Sequence, residues 1–225
     1  MLVTGATGGI GAAVVRAATD RGYHVMAAGR DAARLDQVCG GVPGTSPVLL
    51  DLRNPADLPQ PLAGLGRLDA VVHCAGVADV ASVEETSYSM WSETLAVNVV
   101  AAAELTRALL PALREAVGHV VFVNAAPNLH AVPRWSAYTA SKAALRELAD
   151  SLRAEEARNG LRVTTIYPGG TATELLQTVR AQFGRPYRAA DCIQPATLAS
   201  VVLTVLDMRD DACLPEVSVL PMPRR

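Results

Sequence analysis

Tyr138 and Lys142 are the two side chains of this 225-residue sequence whose types and spacing best fit acid–base chemistry. They stand four residues apart in Ser136-Ala137-Tyr138-Thr139-Ala140-Ser141-Lys142, at the start of a helical pattern. Positions i and i+4 of a helix share one face. A phenol ordinarily titrates near about 10, and an ammonium beside it stabilises the phenolate, which predicts a tyrosine able to exchange protons near neutral pH. Lys142 is also the only lysine; the other nineteen of the twenty basic residues are arginine. A compact, titratable ammonium where a planar guanidinium serves everywhere else points to a local requirement, a chance choice on a solvated helix face being the alternative.

A second constellation lies at the start of the chain, Thr4-Gly5-Ala6-Thr7-Gly8-Gly9-Ile10-Gly11, between a short apolar strand and an amphipathic helix whose Val14, Val15 and Ala18 can face a sheet. Glycines at Gly5, Gly8, Gly9 and Gly11 allow a tight turn and close approach of the backbone to a pyrophosphate, whose charge would sit at the positive end of that helix. The spacing Gly-x-x-x-Gly-x-Gly predicts dinucleotide binding, a purely structural turn being the alternative. The second strand ends Ala27-Ala28-Gly29-Arg30, near the roughly 20-residue offset at which an acidic side chain would bind the adenosine ribose. Gly29 has no carboxylate to offer, and the Arg30 fork suits a 2′-phosphate, which predicts NADP(H) rather than NAD(H). Asp31 next door argues the other way, and Arg30 also reads as a solvated surface charge.

These residues need a scaffold to bring them together. Short apolar runs over residues 2–4, 23–28, 48–51, 70–73, 119–124, 162–167 and 217–220 read as strands buried on both faces. They alternate with helical patterns over 9–21, 32–39, 90–116, 136–158 and 195–208, a βαβα order that predicts a single α/β domain with a doubly wound, Rossmann-like parallel sheet of about seven strands across 1–225. The first strand is short before its glycine turn, so it is either clipped or begins upstream. Residues 170–194 lack a clean period and predict a mobile loop with partial helix, placed to act as a lid.

Composition narrows the function. The chain is 50% hydrophobic with a net charge of −2, enough to build a large core and without the basic run a nucleic-acid binder needs. No apolar run reads as long enough to cross a bilayer, and the start lacks a signal-peptide pattern, so the expectation is a cytoplasmic protein free of membrane. Cys39, Cys74, Cys192 and Cys213 lack C-x-x-C spacing, and His24, His73, His119 and His130 form no H-x-x-x-H pair, which predicts reduced thiols and no metal. A small-molecule substrate is the remaining expectation.

Taken together, the motifs resemble the short-chain dehydrogenase/reductase family nearly end to end. Thr4-Gly5-x-x-x-Gly9-x-Gly11 is similar to its cofactor turn, Asp51-Leu52 to its adenine-contacting strand end, and His73-Cys74-Ala75-Gly76 to a variant of its Asn-Asn-Ala-Gly segment. Asn98 falls at its catalytic asparagine, and Pro168-Gly169 with Thr171 and Thr173 resembles its segment around the nicotinamide. The resemblance implies a dinucleotide held by Gly5, Thr7, Gly8, Gly9, Ile10, Gly11, Arg30, Asp51, Leu52, Ala75, Gly76, Tyr138, Lys142, Pro168, Gly169, Thr171 and Thr173. It implies a homodimer or homotetramer, and a catalytic set of Tyr138, Lys142 and Asn98. In that set Tyr138 exchanges a proton with a carbonyl or alcohol oxygen, Lys142 holds the nicotinamide ribose and lowers the phenol's pKa, and Asn98 anchors a water that replenishes the proton. Asn98 also reads as a residue bridging a helix kink.

One member of the family pattern is absent. The family carries a serine thirteen positions before the tyrosine, and here that position is Ala125. Loss of one oxyanion-type donor costs on the order of 10²–10³ in rate. Asn124, Asn128 and Ser136 are candidates to replace it. Two functions follow: an NADP(H)-dependent oxidoreductase with a modified substrate site, or a weakly active cofactor-binding homologue acting as a sensor or assembly partner. Trp91, Leu129, Val132, Trp135 and the 170–194 loop could line an apolar pocket, plain core being the alternative, and Arg180, Arg185 and Arg188 could attract an anionic substrate or merely keep the loop soluble.

Overall fold

The structure, a computed structural model, describes residues 1–222 other than 63, 127, 128, 130 and 210. Seven parallel strands form one sheet: β1 (Leu2–Thr4), β2 (Val25–Gly29), β3 (Thr45–Leu49), β4 (Ala70–His73), β5 (His119–Val123), β6 (Arg162–Pro168) and β7 (Glu216–Val219). Their spatial order, β3-β2-β1-β4-β5-β6-β7, reverses between β1 and β4. The helices are α1 (Gly9–Asp20), α2 (Ala32–Cys39), α3 (Tyr88–Leu95), α4 (Ala101–Ala116), α5 (Ser136–Glu156), α6 (Glu174–Gln182) and α7 (Pro195–Leu206).

Alternation along each strand divides the core in two. Leu2, Val71, Val120 and Phe122 face one layer, closed by Leu105, Leu109 and Leu113 of α4 and Leu145, Ala149 and Leu152 of α5. Val3, Val72, Val121 and Ile166 face the other, closed by Val14, Val15 and Ala18 of α1 and Ala199, Val202 and Leu203 of α7. A sheet covered on both faces exposes its strands only at their ends, and in a doubly wound sheet ligands bind outside the carboxyl ends at the order reversal. The Thr4↔His73 pairing puts the last residues of β1 and β4 side by side there.

Several sequence boundaries move. The third strand lies at Thr45–Leu49, earlier than 48–51, so Asp51 and Leu52 belong to the turn beyond it. Gly44, at φ +80°, turns the chain into that strand three residues before Pro47, which a parallel strand can carry at a sheet edge. The helix read over 90–116 starts earlier and is interrupted by a π turn, Ala96–Val100. Residues 170–194 contain α6 and are pinned at their base, Thr171 pairing with Ile193. The rod Tyr88–Ala116, 29 residues long, also holds an 18-residue stretch of mean hydropathy 1.4, enough by length and composition to span a membrane, where the sequence reading expected no such run. Here its apolar side packs on the sheet through Ala101, Leu105, Leu109 and Leu113.

Candidate active site

The glycine turn joins β1 to α1 against the end of β4. Gly5 takes φ +63°, and a Cβ there would lie 2.8 Å from the Ala75 backbone. Ala75 N–H in turn donates to Thr4 Oγ1 at 3.4 Å. A Cβ on Gly11 would sit 2.1 Å from the Gly5 carbonyl oxygen, and one on Gly9 2.7 Å from Thr173 Cγ2. Close packing of the turn on β4, on α1 and on the start of α6 therefore excludes side chains at these positions. Gly8 caps α1 without a side-chain hydrogen bond, and the first turn of α1 holds no acidic residue. The amino end of the helix thus presents its N–H groups and positive dipole without a side-chain acceptor, the chemistry that suits a pyrophosphate.

A cavity of about 390 Å³ opens from this turn across the ends of β4, β5 and β6. Among the residues predicted from sequence, Ile10, Ala75, Gly76, Tyr138, Lys142, Pro168, Gly169, Thr171 and Thr173 line it. Gly5, Thr7, Gly8, Gly9 and Gly11 stand behind them in the turn, and Arg30, Asp51 and Leu52 lie outside the cavity on the β2–β3 side. Arg30 is exposed and makes no hydrogen bond or ion pair among the described residues. Asp31 is committed to capping α2, its Oδ1 accepting from Arg34 N–H at 3.1 Å. Asp51 is held by Arg53, 2.6 Å away, whose hydrogen bonds keep the carboxyl below its ordinary pKa.

Tyr138 and Lys142 project from the first turns of α5 into the cavity, with the ammonium 5.7 Å from the phenol ring centroid. Lys142 Nζ donates to the Val123 carbonyl at the end of β5, at 3.1 Å. Burial draws the lysine down to about 8. The phenol departs from the sequence expectation: burial pushes its pKa up, and the lysine does not offset it. Desolvation outweighs the attraction of an ammonium that faces the ring and is itself partly discharged near neutral pH. Burial thus favours the protonated phenol.

Asn98 sits in the middle of the π turn, 2% exposed and outside the cavity lining. Its Oδ1 accepts from Val77 N–H at 2.9 Å, and its Nδ2 donates to the Val77 carbonyl and to Ser141 Oγ, each at 2.9 Å. The side chain thus ties the segment after β4 to α5 one residue before Lys142. Its bonds run across from the π turn to those two segments.

Ala125 lines the cavity at 8% exposure and presents only a methyl group. Asn124 also lines the cavity, with its Nδ2 donating one N–H to the Lys142 carbonyl at 3.0 Å and its Oδ1 accepting from Ala125 N–H at 2.8 Å. Ser136 Oγ is buried without a partner among the described residues and is not part of the lining. Asn128 and His130 lie outside the described residues. Leu129 and Trp135 line the cavity as expected, whereas Trp91 and Val132 do not. Arg188 is paired with Asp191 at 2.6 Å, so of the three loop arginines only Arg180 and Arg185 reach the lining.

Phe183 lines the cavity from the 170–194 loop, as expected of that loop, whereas sequence reading missed Cys74, Leu220 and Pro221 as lining residues and Ser141 as the partner of Asn98. Ser141 carries a usable signal, lying one turn beyond Tyr138 beside the lysine. Burial pushes the Cys74 thiol up to about 12, leaving it protonated. His73 and His119 are core residues: each bonds a threonine hydroxyl, Thr106 at 3.0 Å and Thr164 at 2.8 Å, and burial lowers each to about 3.

Comparison with known proteins agrees with this geometry. The family model for the short chain dehydrogenases matches residues 1–183. A short-chain type dehydrogenase/reductase of Sinorhizobium fredii, itself uncharacterized, is 31% identical over 98% of this chain and 90% of its own length. The bovine dehydrogenase/reductase SDR family member 11 is 30% identical over 98% of this chain and 94% of its own. A metagenomic short-chain oxidoreductase solved in complex with NADP superposes with a TM-score of 0.82 at 29% identity, covering 99% of this chain and 96% of that one. With the order reversal, the glycine turn and the lined cavity in place, the chain belongs to the short-chain dehydrogenase/reductase family, as an oxidoreductase acting between CH–OH and C=O with a nicotinamide dinucleotide.

Proposed function

We propose that the chain reduces a carbonyl to an alcohol with NADPH, Tyr138 donating the proton, and that Arg30 sets the preference for the 2′-phosphorylated coenzyme. The observation that carries the reading is the joint presence of a half-buried phenol and the chain's only lysine in a cavity that continues the glycine turn. The dinucleotide fits the residues present: the α1 N–H groups are without side-chain acceptors, and the Gly5–Gly11 turn keeps its backbone bare. Gly5, Thr7, Gly8, Gly9, Ile10 and Gly11 would hold the pyrophosphate, with Asp51, Leu52, Ala75 and Gly76 beside the adenosine and ribose. Pro168, Gly169, Thr171 and Thr173 would bound the nicotinamide end. When bound, the coenzyme supplies a hydride to the carbonyl carbon.

Tyr138 lies on the cavity wall, where its hydroxyl can donate a proton to a carbonyl oxygen, and burial favours the protonated form that this step needs. Lys142, near neutrality by its burial, can pass a proton at Nζ; the Val123 carbonyl fixes its position. Asn98 acts as a positioning residue, its amide holding Val77 and Ser141 in place. The spare valence of Arg30, with Asp31 withdrawn into the α2 cap, supports NADP(H) over NAD(H). The free thiols Cys39, Cys74, Cys192 and Cys213 support placement in a reducing cytoplasm, and a homodimer or homotetramer is part of the proposal on the strength of the family.

A second reading, a coenzyme-binding sensor or assembly partner of little activity, is favoured by Ala125 alone. Titration with NADPH and NADH, followed by a carbonyl screen monitored at the reduced-nicotinamide absorbance, decides between them. NADPH-dependent turnover that disappears in Tyr138→Phe supports the oxidoreductase. Tight NADPH binding without turnover, unimproved by Ala125→Ser, overturns it in favour of the sensor.

A further inference from the structure

The residues that line the cavity include Lys142, Arg180 and Arg185 and no aspartate or glutamate, in a chain whose overall charge is −2. Arg180 is half-buried near the end of α6, Arg185 lies just beyond it, and neither has a carboxylate partner among the described residues. The other exposed arginine nearby differs: Arg134 donates to the Gln182 carbonyl at 3.4 Å and has the charge of Glu85 in its field.

From these observations we infer that the substrate is a carbonyl compound with an aromatic or apolar body and an anionic group at its far end, the anion taken by Arg180 and Arg185. The inference rests on the carbonyl-reductase reading of the cleft. A train of rings leads from the phenol to the cations. Trp135 stacks on Tyr138 with centroids 4.3 Å apart, Phe183 meets Trp135 edge-on at 5.6 Å, and the Arg185 guanidinium lies 5.1 Å over the Phe183 ring. Val179 and Leu176 of α6 add to the apolar wall.

The two arginines are poorly placed for the coenzyme's own phosphates. Thr173, the N-cap of α6, meets the glycine turn at Gly9, and Arg180 follows seven residues later, roughly 10 Å further along a helix that rises about 1.5 Å per residue. Anchoring the far end of the substrate also answers the gap at Ala125, since a charge-assisted, two-point grip orients a carbonyl that has lost one of its hydrogen-bond donors.

The test pairs 4-carboxybenzaldehyde with its methyl ester and with 4-methylbenzaldehyde, similar aromatic bodies of which one bears a charge. Turnover with NADPH is followed in the unaltered chain and in Arg180→Ala, Arg185→Ala and Arg180→Lys. Binding of 4-(hydroxymethyl)benzoate and of 4-methylbenzyl alcohol to the NADP⁺-loaded chain is measured by calorimetry. A charge-assisted contact predicts kcat/KM at least about tenfold higher for the carboxylate. That preference shrinks in both alanine variants and in high salt, is partly kept in Arg180→Lys, and leaves NADPH affinity unchanged. Turnover of all three aldehydes without a preference for the carboxylate overturns the inference and leaves the reductase reading standing. Carboxylate-selective binding lost in the alanine variants, without turnover of any aldehyde, sustains the anion site and removes the reductase reading. Equal binding of the acid and the neutral alcohol, or NADPH affinity that falls with either arginine, overturns the inference.

Discussion

Restoring a hydroxyl at position 125 should make the enzyme faster, and the size of the gain follows from what surrounds that residue. Ala125 is 8% exposed, borders the cavity that holds Tyr138, and has its N–H committed to Asn124 Oδ1. Asn124 holds the Lys142 carbonyl with one of its two amide N–H donors, and Ala125 itself brings no hydroxyl to the cavity wall. A single such donor in a water-poor site is worth on the order of 10²–10³ in kcat when removed from an enzyme built around it. A serine introduced into a site that lacks the matching arrangement should recover part of this. The Ala125→Ser variant is expected to raise kcat by about 10- to 100-fold, equivalent to roughly 1.4–2.7 kcal/mol at about 1.36 kcal/mol per decade. Because the new contact forms chiefly as charge builds on oxygen, KM and NADPH affinity should change by less than about threefold. Steady-state kinetics on one aromatic aldehyde, with NADPH affinity from fluorescence, provides the assay. A kcat that stays level or falls, in a variant that still binds NADPH and melts at the same temperature, would refute the assignment of Ala125 to the polarising position.

Other outcomes follow from the same geometry. Arg30→Ala should lower NADPH affinity by about 10- to 100-fold with NADH affinity nearly unchanged, by the loss of charge-assisted contacts to the 2′-phosphate; equal losses for both coenzymes would move the phosphate site elsewhere. Lys142 has its pKa drawn from 10.5 to about 8 on folding, so its buried ammonium opposes folding at neutral pH, and stability should rise between about pH 8 and 10.5 as the folded chain loses the proton first. Lys142→Met should abolish that rise and stabilise the coenzyme-free chain by roughly 1–3 kcal/mol in urea at pH 7 while removing activity; a less stable variant would contradict this reading. His73 and His119, lowered from 6.5 to about 3, act on the acid side: the unfolded chain takes up protons first, so stability should fall as pH drops below about 6.5 and on toward 3, and a flat acid limb would refute their burial as neutral rings.

Much of the scaffold could be read from the sequence because its signals are local. Apolar runs of strand length marked six of the seven strands to within two residues, and the glycines of 5–11 marked the coenzyme turn, since few other residues tolerate the close approach of Ala75, Gly5 and Thr173. The third strand was misplaced because Pro47 weakens its pattern and only the edge position in the sheet excuses it. The π turn escaped because one extra residue per turn leaves the apolar spacing of 90–116 nearly intact, while the bond it presents, Val77 N–H to Asn98 Oδ1, is a contact across 21 residues. Within the site, Tyr138 and Lys142 were legible by spacing, but the sense of the phenol's pKa was not. That sense depends on how deeply α5 is buried, which no helical spacing records.

In the proposed reaction Tyr138 delivers a proton while hydride passes to the carbonyl carbon. That step is tested most directly by supplying NADPH deuterated at the transferable C4 position and weighing the alcohol formed from 4-carboxybenzaldehyde by the unaltered chain and by Tyr138→Phe. One deuterium is expected on the carbinol carbon in the first case, and a rate at least about 10²-fold lower with undiminished NADPH binding in the second. Product without deuterium, or a phenylalanine variant that turns over as fast as the parent, would contradict it.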